Sequence, residues 1–300
     1  LTKVPLAAQS AGVSLVPRRT ASEREVPDSA LHPLDRLLAA RRPIVMGILN
    51  LTPDSFADGG RFDEPAKALA HAERMIADGA DIIDVGGESS RPYPGMRPVS
   101  ADDELARLMP VLPQVIALGV PVSIDTMKAE VAARALAAGA AIVNDVWGLQ
   151  RDPEMAAVVA AHGVPVVVTH NREAADPTLD ILADIEAFFS RSLDIAARAG
   201  IARNRIVLDP GIGFGKTPEQ SLAAIAGLGR LRAFGLPLLI GLSRKRFINA
   251  VVPSAPQDRL AGSIAGNVLA VLEGAAIVRV HDVAETVQAL RVAAAIRAAR

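Results

Sequence analysis

Eight polar residues able to do chemistry, Asn50, Glu88, Asp125, Asn144, His170, Asp209, Ser243 and His281, each stand at or near the C-terminal end of a short apolar run. Among them, two carboxylates and a carboxamide, Asp125, Asp209 and Asn144, can bind the N–C–N edge of a flat heterocycle through paired donors and acceptors. One such Asp alone reads more simply as a helix cap following a strand, but three convergent groups shift the balance toward binding. Arg91, Arg244, Lys245, Arg279 and His281 add positive charge beside the second, seventh and eighth runs. Arg forks grip phosphate oxygens in pairs, while Lys supplies a mobile point charge. The alternation Val278-Arg279-Val280-His281 puts Arg and His on one side of a strand and the valines on the other. Asn50 and Glu88 are hard oxygen donors near this basic group, compatible with a hydrated Mg²⁺ carried in by a diphosphate. His170 reads as a hydrogen-bonded structural residue and receives no catalytic role.

Positioning these residues requires the apolar runs to be strands whose ends meet. The runs cover residues 44–50, 82–88, 120–125, 141–145, 164–170, 205–209, 237–243 and 276–282, and helix-like segments alternate with them. That alternation predicts parallel βα units. Eight units predict an α/β fold, a single (β/α)8 TIM barrel, with the active site gathered at the C-terminal ends of the strands. Helix signals agree. Ser100 and Asp103 form a variant capping box ahead of Leu105, Leu108, Met109 and Leu112. Thr217-Pro218-Glu219-Gln220 is a fuller one. Ile181, Ile185, Phe188, Phe189 and Leu193 mark one face of a long helix.

The chain has 300 residues, and α/β barrels commonly run to about 250 residues as one domain. Residues 1–35 mix Ser, Pro, Arg and Glu without a sustained period and are read as a poorly ordered N-terminal extension; residues 36–300 form the barrel domain. Leu34, Leu37 and Leu38 are spaced for a short helix closing the barrel bottom. With 32 basic and 33 acidic residues there is no global field to gather nucleic acid or anionic lipid, so a small-molecule partner is expected. The absence of cysteine excludes disulfides, thiolate zinc and a cysteine nucleophile. No apolar stretch approaches the roughly 20 residues of a membrane span and no signal-peptide core is evident, which predicts a cytoplasmic protein.

The stretch Gly211-Ile212-Gly213-Phe214-Gly215-Lys216-Thr217 imitates a nucleotide-binding P-loop but fails on spacing. Pro210 stands where the leading glycine belongs, and proline has no N–H for phosphate. The alternating glycines fit either close approach to a ligand or a tight βα turn.

Two leading motifs, Gly47-Ile48-Leu49-Asn50-Leu51-Thr52-Pro53-Asp54-Ser55-Phe56 with Asp58-Gly59-Gly60, and Gly87-Glu88-Ser89-Ser90-Arg91-Pro92, resemble those of the dihydropteroate synthase family. Ser123 to Thr126, Asn144-Asp145, Asp209 to Lys216, Ser243-Arg244-Lys245 and Arg279 to Asp282 continue the resemblance in the family's order, over about residues 43–298. It implies condensation of 6-hydroxymethyl-7,8-dihydropterin diphosphate with 4-aminobenzoate. By resemblance, Asp125, Lys245 and Arg279 are catalytic, and Asp125, Asn144, Asp209 and Lys245 hold the pterin with Arg279 against its ring. Asn50, Ser90, Arg91, Arg279 and His281 belong to the pterin and diphosphate side, and Asn50 also holds Mg²⁺. Phe56, Ser90, Pro92, Phe214, Ser243 and Lys245 form the 4-aminobenzoate pocket, with Arg244 offsetting the benzoate charge. The family also implies a homodimer, for which Ala261, Gly262, Ala265 and Gly266 allow close helix packing. Residues 51–62 and 89–99 are expected to be mobile loops that close over the site.

Three departures from the family pattern stand out: Ser90 in place of Thr, the insertion Tyr93-Pro94, and Asn171 where Met is usual. A non-catalytic pterin-binding paralogue, and a corrinoid-linked methyltetrahydrofolate methyltransferase, are the alternative readings.

Overall fold

In the computed structural model, residues 32–52, 64–88 and 99–299 are described. Each apolar run contains a parallel strand: β1 Ile44–Asn50, β2 Ile82–Gly86, β3 Val122–Asp125, β4 Ile142–Asp145, β5 Val166–Thr169, β6 Ile206–Asp209, β7 Leu239–Ile240 and β8 Ile277–Val280. Hydrogen-bonded neighbours run β6-β5-β4-β3-β2-β1-β8-β7. A parallel bridge between Leu208 and Leu238 joins the two outer strands, with Leu208 N–H donating to Pro237 O at 2.9 Å, and so closes the barrel. β7 is the strand most shortened from its run. Pro237 has no N–H for a ladder, and past Ile240 the chain turns into a left-handed conformation at Arg244, φ 57°.

Side chains alternate across each strand, and the inward set divides by depth. Ile44, Met46, Ile82, Ile142, Val167, Val207, Leu239 and Ile277 fill the lower barrel with Leu34, and Leu37 and Leu38 pack against them. The leucines belong to the helix Pro33–Ala39, which starts with His32 Nδ1 accepting from Leu34 N–H at 3.1 Å. This is the predicted bottom closure. Pro33 to Asp35, assigned from sequence to the extension, form its first turn. One step higher, the same inward positions turn polar: Asp84 on β2, Ser123 and Asp125 on β3, Asn144 on β4, Asp209 on β6 and Arg279 on β8. The outward set packs under the helices in a second, larger apolar cluster.

The helix signals translate directly. Thr217 caps Pro218–Ala226 with both halves of the capping box made at 3.1 Å. The helix Ile181–Ala199 buries Ile181, Ile185, Phe188 and Phe189. The stripe after Ser100 is split into Ala101–Leu108 and Leu112–Ile116, because Pro110 cannot continue the ladder.

Candidate active site

Arg279 is the centre of the barrel mouth. Its Nε donates to Asp84 Oδ2 at 2.5 Å and its Nη2 to Asp125 Oδ2 at 2.6 Å, while Asn144 Nδ2 donates to Asp84 Oδ2 at 3.1 Å. Strand register enforces this meeting, since Asp125 lies opposite Gly86 on one side and Asn144 on the other, and Asp84 lies opposite Ser123. Asp84 is wholly buried, and its Oδ1, like Ser123 Oγ, has no partner. Two acceptor-bearing groups thus face into the barrel with capacity to spare, in a place where an unpaired polar group is costly.

Burial pushes the Asp125 carboxyl up to about 7, against the opposing pull of Arg279. Asp209 is also raised, again by burial, with Lys245 opposing. Burial works against the Arg279 charge too, but Asp84 and then Asp125 outweigh it and hold the guanidinium above its ordinary value. Three inward carboxyl groups, Asp84, Asp125 and Asp209, thus share the mouth with the cations Arg279 and Lys245, and Lys216 also acts on Asp209. These acceptor-rich carboxyl groups suit a ring edge rich in N–H donors, and a ring that develops positive charge favours their ionised form.

On the β6 side, Asp209 Oδ1 accepts from Gly211 N–H at 2.7 Å. Lys245 Nζ donates to Ile212 O at 2.5 Å and sits 4.8 Å from the Phe214 ring centroid. A cavity of about 360 Å³ opens between them, lined also by Lys216, Pro218, Ser221, Phe247 and Arg259. Gly211 (φ 64°) and Gly215 (φ 52°) answer the question their spacing left open. A Cβ on Gly211 would meet His170 O at 1.9 Å, and one on Gly215 would meet Arg172 Cβ at 2.4 Å. Both are demanded by a tight turn against the loop after β5, whereas Gly213 meets only the Lys245 side chain, at 3.6 Å.

Other sequence-predicted residues take different places. Ser243 Oγ accepts from His281 N–H at 3.2 Å and lies 2.9 Å from His281 Nδ1, so it orients His281 and is not among the cavity-lining residues. Arg244 pairs through Nε and Nη2 with Asp282, which occupies the charge assigned to the benzoate. Glu88 gives Oε2 to Lys128 Nζ at 2.5 Å and Oε1 to Val99 N–H at 3.2 Å. The same Lys128 Nζ donates to buried Glu104 at 2.6 Å. Glu88 is thus part of an ion cluster and not an open metal ligand. Asn50 ends β1 opposite Gly86, partly buried. Phe56, Ser90, Arg91, Pro92 and the Tyr93-Pro94 insertion lie outside the described residues, as do most of the two loops expected to close.

His170 is structural, as read from sequence. It is fully buried, with Nε2 3.0 Å from Asp184 Oδ2 and Nδ1 2.6 Å from Lys216 Nζ. Burial first, and Lys216 second, bring it down to about 3, so the ring is neutral. Asn171 is buried with Oδ1 accepting from Arg172 N–H at 2.8 Å. Sequence reasoning missed Asp84 and Lys216. A carboxylate inside the apolar stretch Ile82 to Val85 was the available signal for Asp84; Lys216 was seen only as the end of a loop motif.

A model of the family described as pterin binding enzyme matches residues 46–281. The dihydropteroate synthase of Bacillus subtilis is 49% identical over 243 residues, spanning 81% of this chain and 84% of that protein. The Clostridium difficile dihydropteroate synthase, solved in the presence of pteroic acid, aligns with a TM-score of 0.82 at 46% identity, covering 85% of this chain and 97% of that one. The Xanthomonas albilineans enzyme with 4-aminobenzoic acid gives 0.82 at 44% identity, covering 86% and 94%.

Proposed function

The chain belongs to the dihydropteroate synthase family of pterin-binding enzymes, and from that premise we propose how its own residues divide the family's work. It is a transferase that condenses 6-hydroxymethyl-7,8-dihydropterin diphosphate with 4-aminobenzoate, releasing diphosphate and forming 7,8-dihydropteroate in folate biosynthesis. The observation that carries the division of labour is the convergence of Asp84, Asp125, Asn144 and Arg279 in one hydrogen-bonded layer, with Asp209 across the mouth.

In this reading Asp125, Asn144 and Asp209 take the donor-rich edge of the pterin. Arg279, locked by two carboxylates, lies against the ring and reaches toward the diphosphate with His281, which Ser243 orients. Lys245 stands between pterin and arylamine. As the bond from the exocyclic methylene to diphosphate oxygen breaks, positive charge spreads into the pterin, and the Asp84 and Asp125 carboxyl groups beside it stabilise that charge as Asp125 ionises. The arylamine nitrogen then bonds to the methylene carbon and loses a proton; no covalent enzyme intermediate is required. The protein contributes positioning and exclusion of water. Phe214 supplies an apolar wall for the benzoate. Ser90, Arg91, Pro92 and Phe56 are assigned to the two substrates by the family pattern alone.

Among the described residues no group of three or more His, Asp or Glu is placed to hold a metal. A single carboxamide at the mouth, Asn50, still fits Mg²⁺, which keeps most of its waters and takes few protein ligands when it travels with a diphosphate. Bound there, the ion supplies charge neutralisation to the leaving group. A pterin diphosphate is too charged to cross a bilayer unaided, which supports a cytoplasmic setting, and no described helix is long and apolar enough to cross a membrane.

Of the four small residues expected to serve a homodimer, Ala261 and Ala265 are exposed, while the two glycines face inward. A Cβ on Gly262 would meet Ile248 Cγ2 at 2.6 Å and one on Gly266 would meet Leu242 Cδ1 at 2.9 Å, so these glycines serve packing within the chain. Leu269 and Leu272 continue the exposed side of Ala261 and Ala265 on the helix Leu260–Leu272, and Val292 and Ile296 are likewise half or more exposed on the helix Val283–Ala298. A row of large apolar side chains in water supports association through this face.

The test is direct. Protein supplied with pterin diphosphate, 4-aminobenzoate and Mg²⁺ should yield dihydropteroate by chromatography, and Asp209→Ala should abolish it. Full product formation by that variant would contradict the assignment of the pterin edge.

A further inference from the structure

We propose that Lys216 is a positioning residue for the arylamine: its buried Nζ, seated on His170, clamps the loop from Gly211 to Phe214 in the shape that presents the Phe214 ring and the Ile212 carbonyl to Lys245. The inference rests on the reading of Phe214 and Lys245 as the 4-aminobenzoate side of the site.

Lys216 Nζ donates to Gly211 O at 2.9 Å and Phe214 O at 3.2 Å and lies 2.6 Å from His170 Nδ1. Three acceptors match the three N–H bonds of an ammonium, with Nδ1 accepting. The proton of His170 then sits on Nε2 and is given to Asp184 Oδ2, which also accepts from Arg172 Nη1 at 3.0 Å. Phe188 packs edge-on against the imidazole, 4.9 Å between centroids. A continuous chain thus runs from Arg172 through Asp184 and His170 to Lys216 and ends on two loop carbonyls. Burial pushes Lys216 down to about 7, with the charge of Asp209 opposing, and its three acceptors are arranged to receive an ammonium.

The loop needs such a tie. Gly211, Gly213 and Gly215 all have positive φ, and glycine has the most conformational freedom to lose on being ordered. Between the two carbonyls that Lys216 holds lies Ile212, whose own carbonyl receives Lys245 Nζ at 2.5 Å. Lys216 and Lys245 line the same cavity, yet none of the bonds made or broken in the reaction requires an amine at Lys216. Its contacts give it control over where Lys245 and Phe214 stand.

The experiment varies each substrate in turn for the wild type, Lys216→Met, His170→Leu and His170→Asn, with thermal melts alongside. Lys216→Met should raise the KM for 4-aminobenzoate about tenfold or more and the KM for pterin diphosphate by less than about twofold, the asymmetry expected when buried hydrogen bonds on one side of a site are lost. His170→Leu should reproduce the change, whereas His170→Asn, which keeps an acceptor near the Nδ1 position, should restore most of the wild-type value. An unchanged arylamine KM, or equal losses toward both substrates, would overturn the proposal. Should Lys216→Met not fold, the His170 pair decides by the same criterion. A wild type that forms no dihydropteroate would overturn the functional reading together with this inference, whereas an active wild type with indifferent variants overturns the inference alone.

Discussion

Arg279 joins two carboxylates that would otherwise repel, so its geometry matters as much as its charge. Lys at this position keeps the charge and loses the fork, and cannot reach Asp84 and Asp125 in the same way. Arg279→Lys is therefore expected to lower kcat/KM by about 100-fold or more, read from initial rates at varied pterin diphosphate. His170 has a pH signature. Between its ordinary value of 6.5 and its buried value of about 3, the unfolded chain holds a proton that the folded chain does not. Stability therefore rises with pH across that window and is lost as pH falls through it. Denaturant melts from pH 4 to 7 should show a shallower slope for His170→Asn than for the wild type; parallel slopes would mean the ring is not neutral. Asn171→Met should keep activity within about tenfold, roughly 1.4 kcal/mol, because the Asn171 contact seen in the structure is with its neighbour's N–H. At this scale the sequence pointed to groups that meet at the barrel mouth where a chemical residue ended an apolar run, as at Asp125, Asn144 and Asp209, but not at Glu88 or Ser243, whose partners are Lys128 and His281. It was silent about Asp84, one step down inside β2, and about pairings such as Arg244 with Asp282, which only the fold brings together.

The turn after β6 carries the sharpest expectation at the level of elements. Gly211→Ala would place a methyl 1.9 Å from the His170 carbonyl at φ 64°, so a loss of more than about 4 kcal/mol is expected. Gly119 also has positive φ, 86°, but has nothing within 4 Å of an added Cβ, and Gly119→Ala should cost only about 1–2 kcal/mol. Urea unfolding of the two variants side by side measures the difference. Local signals such as the Thr217 capping box could be read because donor and acceptor are three residues apart. Strand ends were less legible. The apolar runs continue past the point where partners remain in register, so β2, β5, β7 and β8 stop short of them. Whether the glycines served a turn or a ligand could not be told from spacing, since the deciding atoms belong to His170 and Arg172 on another strand's loop.

For the whole molecule, periodicity alone reached the closed eight-stranded barrel and its active face, because burial on both sides of every strand is written into its composition. The small residues of the helix Leu260–Leu272 were less legible: Gly262 and Gly266 pack inward against Ile248 and Leu242, whereas Ala261 and Ala265 share the exposed face with Leu269 and Leu272. Light scattering at micromolar concentration should give a dimer, and Leu269→Glu with Ile296→Glu a monomer; a monomeric wild type would remove the dimer from the account. The central claim is that this mouth couples departure of diphosphate to capture by the arylamine. Diphosphate release from the pterin diphosphate with Mg²⁺, measured with and without 4-aminobenzoate, tests it most directly. The account predicts release that depends on the arylamine, with dihydropteroate formed in equal amount. Folded protein that binds the pterin but releases no diphosphate in the presence of 4-aminobenzoate would contradict it.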